Sequence, residues 1–191
     1  MEGLEQALAD SGLNQADFAV ALGTSASRFS TYRSGQVMPT AGFYLRALRL
    51  AADLKAAHEH GWMTPQIATR EIRQAVREGD DVWALKMALQ ARDHLHELLR
   101  VEDPAADAWR GAPRCTGDAR WDAFLAALAE HEFEEAGRGR LGWTETRRLA
   151  GRAAEWVIPS LRLDENGVRA ATPTWLSRWG VFAAERDLVT A

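Results

Sequence analysis

Six residues at helical spacing, Ala26, Ser27, Arg28, Thr31, Arg33 and Ser34, share one outward face, while Phe29 and Tyr32 point the other way. Hydroxyls, guanidinium groups and a methyl on a narrow helical face are side chains that read base edges. Arginine donates in pairs to guanine, hydroxyls bond either edge, and a methyl meets the thymine methyl. Arg28 is the expected main reader, with Ala26, Ser27 and Thr31 beside it. No acidic residue lies between Asp17 and Asp53, where the charges are Arg28, Arg33, Arg46 and Arg49. A local basic face on a chain of formal net charge −4 suits contact with nucleic acid at one surface and argues against a nonspecific coat.

Other chemistries fare worse. Gly137-Arg138-Gly139-Arg140-Leu141-Gly142 has the letters of a dinucleotide fingerprint, but it follows a glutamate-rich helix and no βαβ pattern surrounds it. It reads as a flexible basic loop. Cys115 and Arg120 are one residue too close for a phosphatase loop, and no local base partners the thiol. His58/His60 and His94/His96 are i, i+2 pairs, about 200° apart on a helix, so neither pair shares a metal ion. His131 stands among Glu130, Glu132, Glu134 and Glu135, the composition of a solvated helix end. The expectation is no catalysis, no cofactor and no metal.

The elements that must position the polar face are legible locally. Asn14 and Asp17 form a variant capping box that opens a helix, Phe18, Ala19 and Leu22 share its buried side, and Gly23 closes it in the left-handed conformation. Ser25 can cap the next helix, which Gly35 ends. Pro39-Thr40 starts a third, with Tyr44, Leu45, Leu48, Ala51 and Ala52 expected on its buried face. Two short helices joined by a glycine turn, the second polar outside, fit a major groove.

The pattern Gln15-x-x-x-Ala19-x-x-x-Gly23-x-Ser25-x-x-x-Phe29-x-x-Tyr32-x-x-Gly35-x-x-x-Pro39 resembles the Cro/C1 (Xre) family of helix-turn-helix regulators, over about residues 2–60. The resemblance implies sequence-specific binding of double-stranded operator DNA by a homodimer acting as a repressor. It places Gln15 on a phosphate or base edge and Ser25, Ala26, Ser27, Arg28, Thr31, Arg33 and Ser34 at the DNA. Alanine at position 26, where the family often carries a longer polar residue, leaves only an apolar contact there. The alternative is a helical bundle that has lost DNA binding and makes protein contacts only.

The chain divides by composition into residues 1–62, a section 63–103, and residues 104–191. All eight tryptophans fall from Trp62 onward, so the later sections carry the large aromatic surfaces. Thr64-Pro65 and Asp80 or Asp81 start two helices split at Gly79, a helical hairpin with Val82, Leu85, Leu89 and Leu95 near one stripe. Pro104, Gly111, Pro113 and Gly117 give 103–118 a loop composition. Beyond it, Trp121, Phe124, Leu125 and Leu128 recur at helical spacing, and Thr144 can cap a helix carrying Leu149, Ala153 and Trp156. Asn166-Gly167 signals a short β-hairpin near 161–170, and Thr172-Pro173 a short helix through Trp175 and Trp179 that Gly180 ends. Most tryptophans are expected in the core, with one or two left as anchors for a partner.

The predicted fold class is mainly α: a helix-turn-helix bundle, a helical hairpin, and a small Trp-rich unit. Thr172-Pro173, Gly180-Val181-Phe182 and Asp187-Leu188 also resemble the tail of actinobacterial helix-turn-helix proteins of antitoxin type. That implies a toxin bound through the C-terminal region and an operon repressed through the other end; a repressor answering to a small ligand is the competing expectation. A single cysteine, no basic leader before the first apolar residues and no long apolar run give a cytoplasmic expectation without membrane partners.

Overall fold

The computed structural model describes residues 2–149, 151 and 154–189. The fold is mainly α, and helices two to six each begin where the sequence supplies a cap. Helix α1 (Glu2–Asp10) leads into α2 (Gln15–Ala21), whose N-cap Asn14 accepts from the Asp17 amide. Helix α3 (Ala26–Arg33) is capped by Ser25, which accepts from the Arg28 amide, and α4 (Ala41–Glu59) by Thr40. Helices α5 (Pro65–Glu78) and α6 (Asp81–Arg100) form the expected hairpin, with Thr64 and Asp80 as caps and Gly79 at φ 72° between them.

Residues 104–110 depart from the loop reading. Asp103 accepts from the Ala105 amide, and Pro104–Arg110 winds into a 3-10 helix that packs on α4 and α6. It drives Trp109, 1% exposed, into the centre of the molecule. The Trp109 indole N–H donates to the Met63 carbonyl at 3.2 Å, and the Trp109 carbonyl accepts the Trp143 indole at 2.8 Å. Gly111 follows because the chain then runs against α4, where an added Cβ would lie 2.9 Å from Leu50 Cδ1. One contiguous core therefore joins Phe18, Phe29 and Leu54 to Ile72 and Leu95, and these to Trp121, Phe124 and Trp179.

Helix α7 (Ala119–Glu135) crosses α6 and is buried on nearly every side between Ala123 and Glu130. The helix expected to start at Thr144 is absent as such. Thr144 is buried and donates its hydroxyl to Glu130 Oε2 at 2.7 Å, so its side chain makes no cap; a 3-10 turn, Glu145–Arg147, follows. Leu149 donates its amide to the Trp179 carbonyl, Trp156 lies in a strand, and Ala153 is outside the described residues.

The hairpin expected near 161–170 is corrected. Asp164 accepts from the Gly167 amide at 2.8 Å, and this cap draws Asn166-Gly167 into helix α8 (Glu165–Ala170). The strand pair is instead β1 (Trp156–Val157) with β2 (Val181–Phe182), parallel, with Trp156 opposite Val181. Helix α9 (Thr174–Ser177) follows Pro173, and Gly180 turns at φ 76° into β2.

The acidic end of α7 is not simply solvated. Glu130 is fully buried and accepts from Arg140 Nε at 3.0 Å, the Leu141 amide at 3.1 Å and the Thr144 hydroxyl. Three donors balance the desolvation of the carboxylate. The 137–142 segment is accordingly tied down, and Arg138 adds a 3.0 Å contact to Asp107. His131 stacks on Trp175 with ring centroids 4.1 Å apart. Glu130→Ala leaves the buried Leu141 amide without its acceptor while the Thr144 hydroxyl keeps the Leu141 carbonyl, so urea unfolding should report a loss of about 1–3 kcal/mol. Glu130→Gln, which keeps an acceptor, should lose less.

Asp53 on α4 faces the same 3-10 helix. Burial, then the Asp107 carboxylate, push its pKa up to about 6, against the opposing charges of Arg110 and Arg49. The folded chain thus holds this proton more tightly than the unfolded chain, and stability present at low pH is lost as pH rises through 6. Asp53→Asn removes the penalty of the ionised form. It should be more stable than the parent by about 1 kcal/mol above pH 7, allowing for screening at a half-buried position, with the difference gone below about pH 3. His58 and His94, whose pKa values burial chiefly lowers, act with the opposite sign, and comparing variant with parent cancels them.

Candidate nucleic-acid interface

Helix α3 is short, and its neighbours hold it at both ends. Phe29, wholly buried, meets Phe18 of α2 edge-on at 5.5 Å, and Tyr32 packs on Phe43 of α4 at 5.0 Å. Between the helices Gly23 turns at φ 70°, a conformation that costs other L-residues about 1–2 kcal/mol. Gly35, at φ 76°, releases the chain after α3. With its inner face anchored, α3 shows solvent the residues expected there. Ser25, Ala26, Ser27, Arg28 and Ser34 are exposed, and Thr31 and Arg33 are half-buried.

Arg28 is oriented before any partner arrives. Its Nε donates to the Tyr32 hydroxyl at 2.7 Å, and the guanidinium carbon lies 5.7 Å from the Tyr32 ring centre. Both Nη groups remain without a partner among the described residues, side by side as a two-donor edge. Such an edge matches guanine O6 and N7 or a pair of phosphate oxygens. Gln15 is bound inward. One Nε2–H donates to the Ala26 carbonyl at 3.2 Å, clamping the start of α2 to the start of α3, and its second N–H is left for an outside acceptor.

The other cations of the acid-free window are committed elsewhere. Arg46 donates to the Leu22 carbonyl at 3.2 Å and lies over Phe43, and Arg49 faces Asp53. Arg28 and Arg33 therefore carry the free charge of the α3 face. The buried face of α4 is narrower than its sequence indicates. Ala51 and Leu54 are buried and Tyr44 and Leu48 half-buried, whereas Leu45 and Ala52 are exposed because they lie on the flank that no element covers. Val82 is likewise 81% exposed, two residues past the cap of α6 in its first turn.

Sequence reasoning missed Arg114. It pairs with Asp17 on α2 across 97 positions, and only the packing of the 111–116 segment against the first helices brings them together. No local spacing signals such a contact. The exposed loop Gln36-Val37-Met38 beside α3 was also missed; its apolar residues are visible only as a break in the polar pattern. Of the tryptophans, Trp109, Trp121, Trp143 and Trp179 are buried, and Trp83 is exposed under Lys86 at 5.1 Å.

No group of three or more His, Cys, Asp or Glu among the described residues is placed to hold a metal ion. No helix among them is long and apolar enough to cross a membrane. Comparison of the chain with protein-family models, with characterised proteins and with solved structures finds no match.

The caps are what hold α3 in place. Ser25→Ala removes the acceptor of the Arg28 amide and should cost about 1 kcal/mol in denaturant unfolding. Ser27→Ala, exposed with no such bond, should change stability by less than about 0.5 kcal/mol.

Proposed function

We propose that the chain is a sequence-specific DNA-binding transcriptional regulator that inserts α3 into the major groove. The observation that carries this reading is the pre-oriented Arg28. Tyr32 holds Nε and leaves a two-donor edge on a helix face otherwise made of small hydroxyl and methyl groups. Ala26 and Thr31 supply apolar contact of the kind thymine offers, while Ser25, Ser27 and Ser34 supply hydrogen bonds to base or backbone. Arg33 and the second N–H of Gln15 add phosphate contacts.

One such helix reads only a few base pairs. The proposed working species is a homodimer on a two-fold operator, with half-sites about 34 Å apart, acting as a repressor in the cytoplasm without catalysis. The resemblance to Cro/C1 regulators supports the same reading, and residues 104–191 are its proposed partner or effector region.

Selection of bound duplexes from a random pool tests it directly. Enrichment of a two-fold site is expected, and Arg28→Ala should lose about 1–3 kcal/mol on that site and relax preference at one base pair. Tyr32→Phe, which frees the guanidinium without removing it, should lose less and keep the same preferred base. Failure of the folded chain to enrich any site would overturn the reading.

A further inference from the structure

Helix α5 carries Arg70, Arg73 and Arg77 on one side, spaced i, i+3, i+7. By the 1.5 Å rise per residue the three span about 10 Å, the axial length of roughly three phosphates on one strand. Arg70 is paired with Glu71. Arg73 bonds the Cys115 carbonyl, and Arg77 is exposed; neither meets a carboxylate among the described residues. Two further guanidinium groups come from distant parts of the chain. Arg114 is held by Asp17, while Arg147 bonds the Pro113 carbonyl at 3.0 Å, the Cys115 sulfur at 2.6 Å and Asp122 at 3.3 Å. Arg73, Arg77, Arg114 and Arg147 line one open cleft of about 440 Å³, and its wall on the other side is Val20 of α2.

Four guanidinium groups stand there against two carboxylates, so the cleft is cationic. It adjoins α2, the helix that packs on α3, and is built with residues from the rest of the chain. The half-buried Arg73 and the exposed Arg77, one turn apart beside an open cleft, suit an extended polyanion better than a compact one. We infer that this cleft is a second DNA-contact site, gripping the phosphate backbone outside the groove that α3 enters. The inference rests on the DNA-binding reading and adds to it a contact made by α5 and the 113–115 segment, without base specificity.

The test uses the full chain and a short duplex of arbitrary sequence, for which backbone charge alone gives binding at low salt. Anisotropy titrations over a salt series yield the slope of log K against log salt. Arg77→Gln, whose side chain makes no internal bond, should shallow the slope by about 1, and Arg73→Gln/Arg77→Gln by about 2. Arg77→Gln should melt like the parent, and the double variant, which also gives up the bond from Arg73 to the Cys115 carbonyl, is titrated at a temperature where its own melting curve shows it folded. Cys115, the single cysteine of the chain and exposed in the cleft wall, gives a readout that needs no substitution. Saturating duplex should slow its alkylation by a charged maleimide several-fold. Duplex binding with unchanged slopes and an unprotected thiol would overturn the second site and leave the α3 reading standing. Protection of Cys115 by inorganic pyrophosphate but not by duplex would assign the cleft to small anions and likewise overturn it. No duplex binding by the parent chain at low salt would remove both.

Discussion

The rest of the structure depends on how Trp109 is held. Its indole donates to Met63 at the entry to the α5–α6 hairpin, and its carbonyl receives the indole of Trp143 from the C-terminal segment. Two hydrogen bonds thus tie three stretches of chain to one residue in a buried, low-dielectric setting, where leaving either donor unmade is costly. The 3-10 helix Pro104–Arg110 that carries Trp109 lies against α4. The uncapped flank of the first four helices thereby gains a cover supplied by a segment more than forty positions downstream. Gly111 is the steric condition for that cover, since Leu50 occupies the space of its missing side chain.

What was legible in the sequence follows the range of the interaction concerned. Asn14, Ser25, Thr40, Thr64 and Asp80 each bond an amide three positions on, so helices α2 to α6 are written in adjacent letters. The outward face of α3 was equally readable, because Phe29 and Tyr32 fix its rotation. Beyond residue 103 the obvious local signals are overridden, some by remote contacts and some by a cap close by. Thr144 has the look of a cap, yet its hydroxyl is taken by Glu130, a full helix away. Asn166-Gly167 has the look of a turn, yet Asp164, two positions before the asparagine, makes it helical. The parallel pairing of Trp156 with Val181 has no hairpin signal because no hairpin joins its strands.

The candidate site shows the same division. Arg28 and its neighbours could be named from spacing, and even the Arg28–Tyr32 contact is an i, i+4 pair that sequence permits. The arginines that gather around Asp17 and Cys115 could not, since Arg73, Arg114 and Arg147 come from three separated segments. Charge counted along the chain is therefore a poor guide to charge on the surface. Arg46 and Arg49, which make the first window look strongly basic, are largely committed to Leu22 and Asp53.

The cover that Pro104–Arg110 lays on α4 also bears on how such a chain can change over evolution. A groove-reading unit that buries its own core can be shuffled between proteins as an independent cassette. Here Leu50, Ala51 and Leu54 belong to a core completed by Ala105, Ala108 and Trp109. A recombination breakpoint near residue 62 would cut through shared apolar surface, so the first four helices are inherited with their tail or not at all.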